Sequence, residues 1–241
     1  MERIKIENIS KEFKIGFKKK QSFLARIIDL ISGQEPKKII KALDNISLSV
    51  KSGTILGVIG ENGSGKSTLL RIIAGIYPQD CGKIRVRGKV ISLINLIVGL
   101  KERLTMQENI YLVGSLFGLN KKEIAQKLNS IIEFSELKNF LSTKIYQFSE
   151  GMKQRLAFSI AIHANPDILL LDEVFEVGDE SFKLKSANKI KEIVKQGGCV
   201  MLVSHDIDLI KRNCNLIILM KNGKIKKKRV KNLKLLNNVR N

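Results

Sequence analysis

The chain has 241 residues, of which 44% are hydrophobic, and its formal net charge is +20. This length fits one large α/β domain or one domain with a helical insertion, and the hydrophobic fraction is ordinary for a globular protein. The longest apolar candidate, Val90–Leu100, is interrupted by polar residues and is shorter than the roughly 20 residues of a membrane-spanning helix. The three cysteines are scattered without C-x-x-C spacing, so neither a disulfide framework nor a zinc site is indicated.

The high positive charge allows two interpretations. It would attract nucleic acid or an anionic membrane surface, or it is spread over solvated faces without a partner. Lysine outnumbers arginine 33 to 10, and the tracts Lys18–Lys20 and Lys224–Arg229 lack the interleaved aromatic residues of a single-strand-binding surface. A solvated or membrane-facing role is therefore favoured, and nucleic acid is not an expected partner.

The N-terminal part is predicted to contain a strand and then an unusual insertion. Glu2–Ile9 alternates polar and apolar residues, as a strand does, and lacks the apolar core of a signal peptide, so we expect a cytosolic chain. In the insertion, about 15–41, apolar residues within Phe23–Ile31 recur at helical spacing between basic residues. Such a helix docks on a partner or a membrane interface. A surface helix packed on its own domain fits the pattern equally well.

Beyond the insertion, the hydrophobic pattern predicts alternating strands and helices. Short continuous apolar runs indicate strands that are buried on both faces, and spacings of three or four residues indicate helices. The predicted strands are Asn45–Val50, Thr54–Ile59, Ile168–Leu171, Cys199–Val203 and Leu216–Met220. The predicted helices are Thr68–Ala74, Lys121–Phe134 within a helical stretch from Thr105 to about Leu141, and Arg155–Ala164. Lys83–Arg87 and Lys89–Leu93 are predicted to form a hairpin-like pair around Gly88, and the basic tail, about 224–241, is predicted to fray.

A glycine-rich loop, G-E-N-G-S-G-K-S, lies between a predicted strand and a predicted helix at Gly60–Ser67. Its glycines let backbone N–H groups curl around a β-phosphate, and the helix N-terminus adds positive potential. Lys66 would reach the β- and γ-phosphate oxygens, and Ser67 would offer its hydroxyl to Mg²⁺. An ordinary turn rarely also supplies Lys-Ser at the helix start, so we predict a nucleotide site. The predicted phosphate cradle is Gly60, Glu61, Asn62, Gly63, Ser64, Gly65, Lys66, Ser67 and Thr68.

A second motif, I-L-L-L-D-E at Ile168–Glu173, indicates what the loop holds. The apolar run is typical of a buried parallel strand, and its two carboxylates follow at the carboxyl edge, where doubly wound sheets bind ligands. Asp172 would hold Mg²⁺ through its water shell, and Glu173 would orient or deprotonate the attacking water. Alone the pair is a weak signal, but together with the upstream loop it predicts nucleotide hydrolysis.

Three further motifs follow the glycine-rich loop in fixed order, and together they resemble those of the ABC ATPases. Phe148–Met152 (F-S-E-G-M) is similar to the L-S-G-G-Q element of that family. Val177–Asp179 resembles the loop after its catalytic glutamate, and Val203–Asp206 resembles its switch-histidine segment. The resemblance covers nearly the whole chain, because five elements agree in order and spacing.

The resemblance implies a fold and an assembly. The fold would be α/β, with a P-loop NTPase core of mixed sheet, an antiparallel β subdomain and a helical subdomain at about 95–160, all within a single domain over 1–241. ATP and Mg²⁺ would bind between two head-to-tail copies of the chain. Two copies of a transmembrane permease would be the partners, at the cytoplasmic face of the inner membrane.

The resemblance also implies residues that complete the nucleotide site. Ser149 and Gly151 would donate hydrogen bonds to the γ-phosphate from the second copy, and Asp179 would belong to the same nucleotide-binding set. Phe13 lies where the family places an aromatic residue that stacks on adenine, although a core phenylalanine is the alternative. Asn95 stands where the family usually has a glutamine that contacts Mg²⁺.

The expected catalytic set is Lys66, Glu173 and His205. By resemblance, His205 would contact the γ-phosphate and help to hold Glu173 and its water. The chain has one other histidine, His163, which lies within an apolar helical pattern and is interpreted as packing.

Within this family, two features resemble those of exporters of bacterial surface polysaccharides, of the O-antigen, teichoic acid and capsule types. They are the S-E-G-M variant and the insertion before Ala42–Ser47. The nearest alternative is the ATPase of another ABC exporter, for drugs or lipids. An ABC ATPase that acts on DNA or ribosomes is disfavoured, because Lys66 and Ser149 are not separated by long coiled coils and only one ATPase unit is present. A GTPase or kinase would explain the glycine-rich loop but neither Ser149–Met152 nor His205.

Overall fold

The computed structural model describes residues 1–15, 38–94, 99–172 and 178–230. The strands are β1 (Glu2–Ile15), β2 (Lys38–Lys51), β3 (Ile55–Ile59), β4 (Cys81–Val86), β5 (Val90–Leu93), β6 (Ile168–Asp172), β7 (Cys199–Val203), β8 (Leu216–Lys221) and β9 (Lys224–Val230). The helices are α1 (Lys66–Ile73), α2 (Met106–Leu116), α3 (Lys121–Ser135), α4 (Glu150–His163), α5 (Glu180–Lys195) and α6 (Ile207–Asn213), with 3₁₀ turns at Lys138–Phe140 and Ile145–Gln147. None of the helices in these ranges is long and apolar enough to cross a lipid bilayer.

A six-stranded sheet in the order β5-β6-β7-β3-β8-β9 forms the centre of the fold. Its pairings are parallel except for that of β8 with β9, which is antiparallel. All five residues of β3 and of β7 are buried, as expected for parallel strands covered on both faces. The two faces serve different cores, because Leu169 and Leu171 pack among the helices whereas Ile168 and Leu170 pack with α1 and the second sheet.

The second sheet is antiparallel, in the order β2-β1-β4. β1 runs on to Ile15, where it pairs with Lys38. Phe13 therefore lies within the first strand and not after it, and both ends of the predicted insertion belong to a long hairpin. The amphipathic helix that was predicted within Phe23–Ile31 falls outside the described residues.

The hairpin predicted around Gly88 is wrong. β4 pairs with β1 in the antiparallel sheet, whereas β5 pairs with β6 in the central sheet. Gly88 has a φ of +115°, and a Cβ there would lie 2.5 Å from Asp167 Cβ. The glycine thus marks a turn, but the turn carries the chain from one sheet to the other.

The prediction that the tail frays from residue 224 is also wrong for its first part. Lys224–Val230 forms β9, which pairs with β8 through a register shift between Leu219 and Met220. Ile225 packs against the core that contains α1 and the second sheet. The sequence does not indicate this contact, because lysines surround the isoleucine. Residues 231–241 lie outside the described ranges.

Helices α2, α3 and α4 and the two 3₁₀ turns form the helical part of the fold. Both α2 and α3 begin with a capping box, made by Thr105 with Glu108 and by Asn120 with Glu123. Asn109 is fully buried, and its side-chain amide bonds the backbone of Lys101, Leu104 and Thr105. This amide satisfies loop groups that would otherwise be buried without partners.

Candidate nucleotide site

Three of the predicted motifs lie at the carboxyl edge of the central sheet. Val203 of β7 pairs with Asp172 on one side and with Val58 on the other. Because adjacent strands lie about 4.8 Å apart, β6 and β3 are separated by roughly 10 Å at this row. The glycine-rich loop follows β3 and the His205 segment follows β7, so three predicted motifs share one edge of the sheet.

The glycine-rich loop is held tightly by its own domain. Gly65 has a φ of +101°, which a residue with a side chain rarely adopts, and a Cβ there would lie 2.4 Å from Ala42 O. The Ser64 N–H donates to Glu61 O at 3.2 Å, and Ser64 O accepts from Gly223 N at 3.1 Å. The shape of the loop is therefore supported by contacts within its own domain.

Lys66 lies inside this loop, with 6% of its surface exposed. Its Nζ donates to Gly60 O at 2.7 Å and to Glu61 O at 3.0 Å, and it forms no ion pair with any described residue. Ser64 Oγ is buried beside it and has no hydrogen-bond partner among the described residues. An unneutralised ammonium and an unpaired hydroxyl in one loop fit an anionic ligand with several oxygens.

Helix α1 begins in this loop without a side-chain cap. Its N-cap is Gly65, and no acidic residue lies in its first turn. The other five described helices each begin with a side chain that accepts a backbone hydrogen bond; these residues are Thr105, Asn120, Ser149, Asp179 and Asp206. The N–H groups and the positive end of the α1 dipole thus remain available to a phosphate.

The structure places two of the three predicted Mg²⁺ ligands at this edge. Ser67 and Asp172 are both half-buried, and a hydroxyl and a carboxylate are oxygen ligands that Mg²⁺ accepts together with phosphates and water. Within the described ranges, no three or more His, Cys, Asp or Glu side chains cluster as an independent metal site. Asn95 and Glu173 lie outside the described residues, and the strands before them end at Leu93 and Asp172.

The His205 segment is fixed between β7 and α6. Ser204 is buried, and its Oγ accepts from Asp206 N at 2.9 Å. Asp206 in turn caps α6, accepting from the N–H groups of Asp208 at 2.8 Å and Leu209 at 2.9 Å. His205 is exposed between these two anchored residues, which is a suitable position for contact with a ligand at the sheet edge.

The Phe148–Met152 segment forms the start of α4. Ser149 caps the helix, its Oγ accepting from Met152 N at 3.2 Å. Phe148 is buried and packs edge-on against Phe140, with ring centroids 5.9 Å apart. Ser149 and Gly151 are exposed, and a Cβ at Gly151 would meet no atom within 4 Å. The start of α4 is therefore anchored by the buried Phe148, while Ser149 and Gly151 are exposed to solvent.

Asp179 is engaged by its own chain. It caps α5 by accepting from Phe182 N at 2.9 Å, and its carboxylate also accepts from Ser181 Oγ and from Arg155, both at 2.7 Å. The hydrogen bond from Phe182 N, followed by those from Ser181 and Arg155, holds the pKa of Asp179 well below its usual range.

Arg155 makes contacts that the sequence does not predict. Besides Asp179, it bonds Glu136 at 2.9 Å and lies over the Phe182 ring at 5.0 Å. It thereby ties α4, the helix that Ser149 begins, to the start of α5. The sequence gives no clear signal for these contacts, because Lys153 and Gln154 precede Arg155 on the same polar first half of α4.

Phe13 is half-buried and lies edge-on to Tyr77, with ring centroids 5.5 Å apart. Lys11 lies 5.6 Å from the Phe13 ring centroid and Arg71 lies 5.8 Å from that of Tyr77. Tyr77, four residues after α1, was missed because a single aromatic residue after a helix has no distinctive spacing. An aromatic pair flanked by cations is the surface that a nucleotide base with phosphates would use.

Comparison with known proteins decides the family. A family model described as ABC transporter matches residues 43–176, which include the glycine-rich loop, the Ser149 segment and Asp172. The chain belongs to the ABC transporter family. The predicted resemblance to ABC ATPases is thus confirmed.

Individual ABC transporter proteins match over most of the chain. It is 40% identical over 224 residues to the teichoic acids export ATP-binding protein TagH of Lactococcus lactis, covering 93% of this chain and 48% of that protein. The chain thus spans about half the length of that relative. It is 36% identical over 229 residues to the O-antigen export system ATP-binding protein RfbB of Klebsiella pneumoniae, covering 92% of each.

The fold matches solved ABC transporter cassettes. The dimeric bacterial ABC transporter cassette MJ0796 superimposes with a TM-score of 0.76 and 26% sequence identity, covering 94% of this chain and 98% of that one. The predicted α/β fold, with a mixed sheet and an additional antiparallel sheet, is confirmed.

Proposed function

We propose that this chain is the ATP-hydrolysing subunit of an ABC transporter that exports a bacterial surface polysaccharide. The observation that carries the ATPase assignment is the meeting of the Gly60–Ser67 loop, Asp172 and His205 at one sheet edge. The cargo assignment is supported by relatives that are described as exporting teichoic acids and O-antigen. The S-E-G-M variant at Ser149–Met152 and the insertion before Ala42 support the same cargo class.

The proposed chemistry depends on positioning and charge, because phosphoryl transfer needs little covalent participation by the protein. Lys66 and the uncapped start of α1 bind and orient the phosphates. Ser67 and Asp172, with Asn95 as a further candidate, would hold Mg²⁺, which supplies positive charge on the β- and γ-phosphate oxygens. Glu173 orients or deprotonates the attacking water.

A complete site requires a second copy of the chain. In this proposal, Ser149 and Gly151 of that copy donate to the γ-phosphate, since both are exposed on α4 and Ser149 Oγ keeps its own proton for donation. His205 contacts the γ-phosphate, Asp179 lies at the junction of the two copies, and the Phe13 ring stacks on adenine. The dimeric state of the cassette MJ0796 supports this arrangement.

The proposed partners are two copies of a transmembrane permease, with this subunit at the cytoplasmic face of the inner membrane. The support is that ABC transporter ATP-binding subunits with 36–40% identity cover at least 92% of this chain. The basic insertion, about 15–41, would lie near the permease entrance or the anionic membrane surface.

The test combines a deletion strain with purified protein. The deletion strain should still synthesise its glycan but retain it, lipid-linked, on the cytoplasmic side, and Glu173→Gln should fail to restore surface glycan. Purified Glu173→Gln should bind ATP but hydrolyse it about two or more decades more slowly, because its proposed base is lost. Glu133→Gln, which changes an exposed carboxylate on α3, is the matched control and should behave as wild type.

The two parts of the proposal can fail separately. Normal surface glycan in the deletion strain would overturn the cargo and leave the ATPase. Near-normal turnover by Glu173→Gln would remove Glu173 from the mechanism while leaving the cargo assignment in place.

A further inference from the structure

A cavity lies beside the amino ends of β6 and β7, at the opposite edge of the sheet from the Gly60–Ser67 loop. It measures about 230 Å³ and lies between α3, the end of α4 and α5. Its principal polar lining residues are Lys127, His163, Asn165, Lys189, Glu192 and Gln196. Pockets for drug-sized ligands span roughly 300–1,000 Å³, so this volume suits a smaller ligand.

Both carboxylates of this cavity already have cationic partners. Glu192 already pairs with Lys189 at 2.8 Å, and Asp167, which also lines the cavity, pairs with Arg3 at 3.0 Å. Lys127 Nζ donates to Asn165 Oδ1 at 3.0 Å and has no ion pair among the described residues. Both carboxylates are therefore engaged, while the Lys127 ammonium has no ion-pair partner among the described residues.

The cations of the cavity also disfavour one another. Burial lowers the pKa of Lys127, and the nearby Lys189 and Lys89 lower it further, against an opposing contribution from Glu123. Burial likewise lowers the pKa of the His163 ring, against an opposing contribution from its hydrogen bond to Ser159, and Lys189, Lys127 and Lys185 lower it further. An anion in the cavity would relieve both effects, because it would offset the repulsion between these groups.

One nitrogen of the His163 ring already forms a hydrogen bond within the chain. Its Nδ1 lies 2.7 Å from Ser159 O, and since a carbonyl oxygen only accepts, Nδ1 carries the proton. Nε2 is then an acceptor in the neutral ring and a donor in the protonated ring. Hydrogen phosphate suits either state, because it offers both a hydroxyl proton and acceptor oxygens.

We propose that this cavity binds a small oxyanion of the phosphate class, held by Lys127, Lys189 and His163. The side-chain amides of Asn165 and Gln196 would add hydrogen bonds. Because its walls come from α3, α4 and α5, the bound ion would join the helical part of the fold to the α5 side of the central sheet.

Binding should depend on pH through His163. An anion favours the protonated ring, so binding raises the pKa of His163, and affinity increases as the pH falls through the pKa of the complex. The charged groups that face this histidine and Lys127 from the surrounding elements are Glu123 on α3, Lys89 before β5, Asp167 with Arg3, and Lys185, Lys189 and Glu192 on α5.

The experiment uses the full chain and the fact that it has only two histidines, His163 and His205. Inorganic phosphate is titrated at constant ionic strength against chloride, and the two imidazole NMR signals, assigned with His163→Gln, are followed across pH. The His163 signal should shift saturably and its titration midpoint should rise. Lys127→Met should weaken this binding about tenfold, as expected for losing one charge-assisted hydrogen bond.

Lys122→Met, an exposed lysine on the same helix, is the matched control, and Lys127→Arg tests whether charge alone restores binding. Wild-type affinity in Lys122→Met and near-wild-type affinity in Lys127→Arg would support the site. An immobile His163 signal, an equal loss in Lys127→Met and Lys122→Met, or a His163 shift that follows only the His205 signal would overturn it. The last result would mean that phosphate binds only at the Gly60–Ser67 loop.

Discussion

The two helix starts of the nucleotide site are built in opposite ways. The start of α1 is enclosed, because Lys66 is buried on carbonyl oxygens of its own loop and Gly65 touches a neighbouring backbone. The start of α4 is open, because Ser149 and Gly151 are exposed and nothing lies within 4 Å of a Cβ at Gly151. In the proposed function, the first start binds phosphate within one chain, whereas the second contacts the nucleotide held by another copy.

This difference has consequences for mutation. A substitution at the enclosed start should disturb the fold and ligand binding together, since the same atoms serve both. A substitution at the open start of α4 should leave the stability of the fold unchanged and weaken only the association of two copies.

The largest effect is expected for Lys66→Ala. Loss of two charge-assisted hydrogen bonds to the phosphates should weaken ATP binding about a hundredfold or more. Isothermal titration with ATP measures this, and Lys51→Ala, an exposed lysine at the end of β2, is the control. Unchanged affinity in Lys66→Ala would show that the enclosed loop is not the phosphate site.

Substitution of two glycines of the same loop distinguishes the cost of an unfavourable backbone conformation from the cost of steric crowding. Gly65→Ala should destabilise the fold about 2 kcal/mol more than Gly63→Ala, because a Cβ at Gly65 would meet Ala42 O. Gly63 has a φ of +76° but open space around it, so its change costs conformation alone. Urea unfolding of the two variants measures the difference. Equal losses in the free energy of unfolding would show that the loop can shift to accommodate the added methyl group.

Gly151→Ala tests the open start directly. Alanine is preferred to glycine in a helix by about 1 kcal/mol, so the free energy of unfolding should stay equal or rise. The added methyl group should nevertheless weaken ATP-driven dimerisation about tenfold, as expected if one phosphate hydrogen bond is blocked. Sedimentation in a Glu173→Gln background measures association. A large loss of stability instead would show that this helix start is also enclosed.

The smallest effect is expected at Asp179. Its pKa is lower in the folded state than in the unfolded chain, so its contribution to stability is present above about pH 4 and is lost as the pH falls below that value. Asp179→Asn should therefore be less stable than wild type at pH 7, and the difference should shrink as the pH falls toward 2. Urea midpoints at several pH values measure it, with Asp208→Asn as the exposed control. A difference that is independent of pH would contradict the ionic role.

The predictions from sequence succeeded where the chemistry is local. Lys66 at a helix start and Asp172 at the end of a buried strand follow from a few adjacent residues, and both are found there. The prediction around Gly88 was wrong because a turn signal gives no information about which sheet the next strand joins. The contacts of Arg155 could not be predicted, because its partners, Glu136 and Asp179, come from distant segments.

The lysine-rich edge strand β9 affects how copies of the chain can associate. Among the described strands β9 pairs only with β8, and its exposed lysines include Lys226, Lys227 and Lys228. Lysines and a register shift on an edge strand discourage another chain from adding a strand there. If the chain acts as part of an assembly, as proposed, this edge should disfavour lateral aggregation of copies that are not yet assembled.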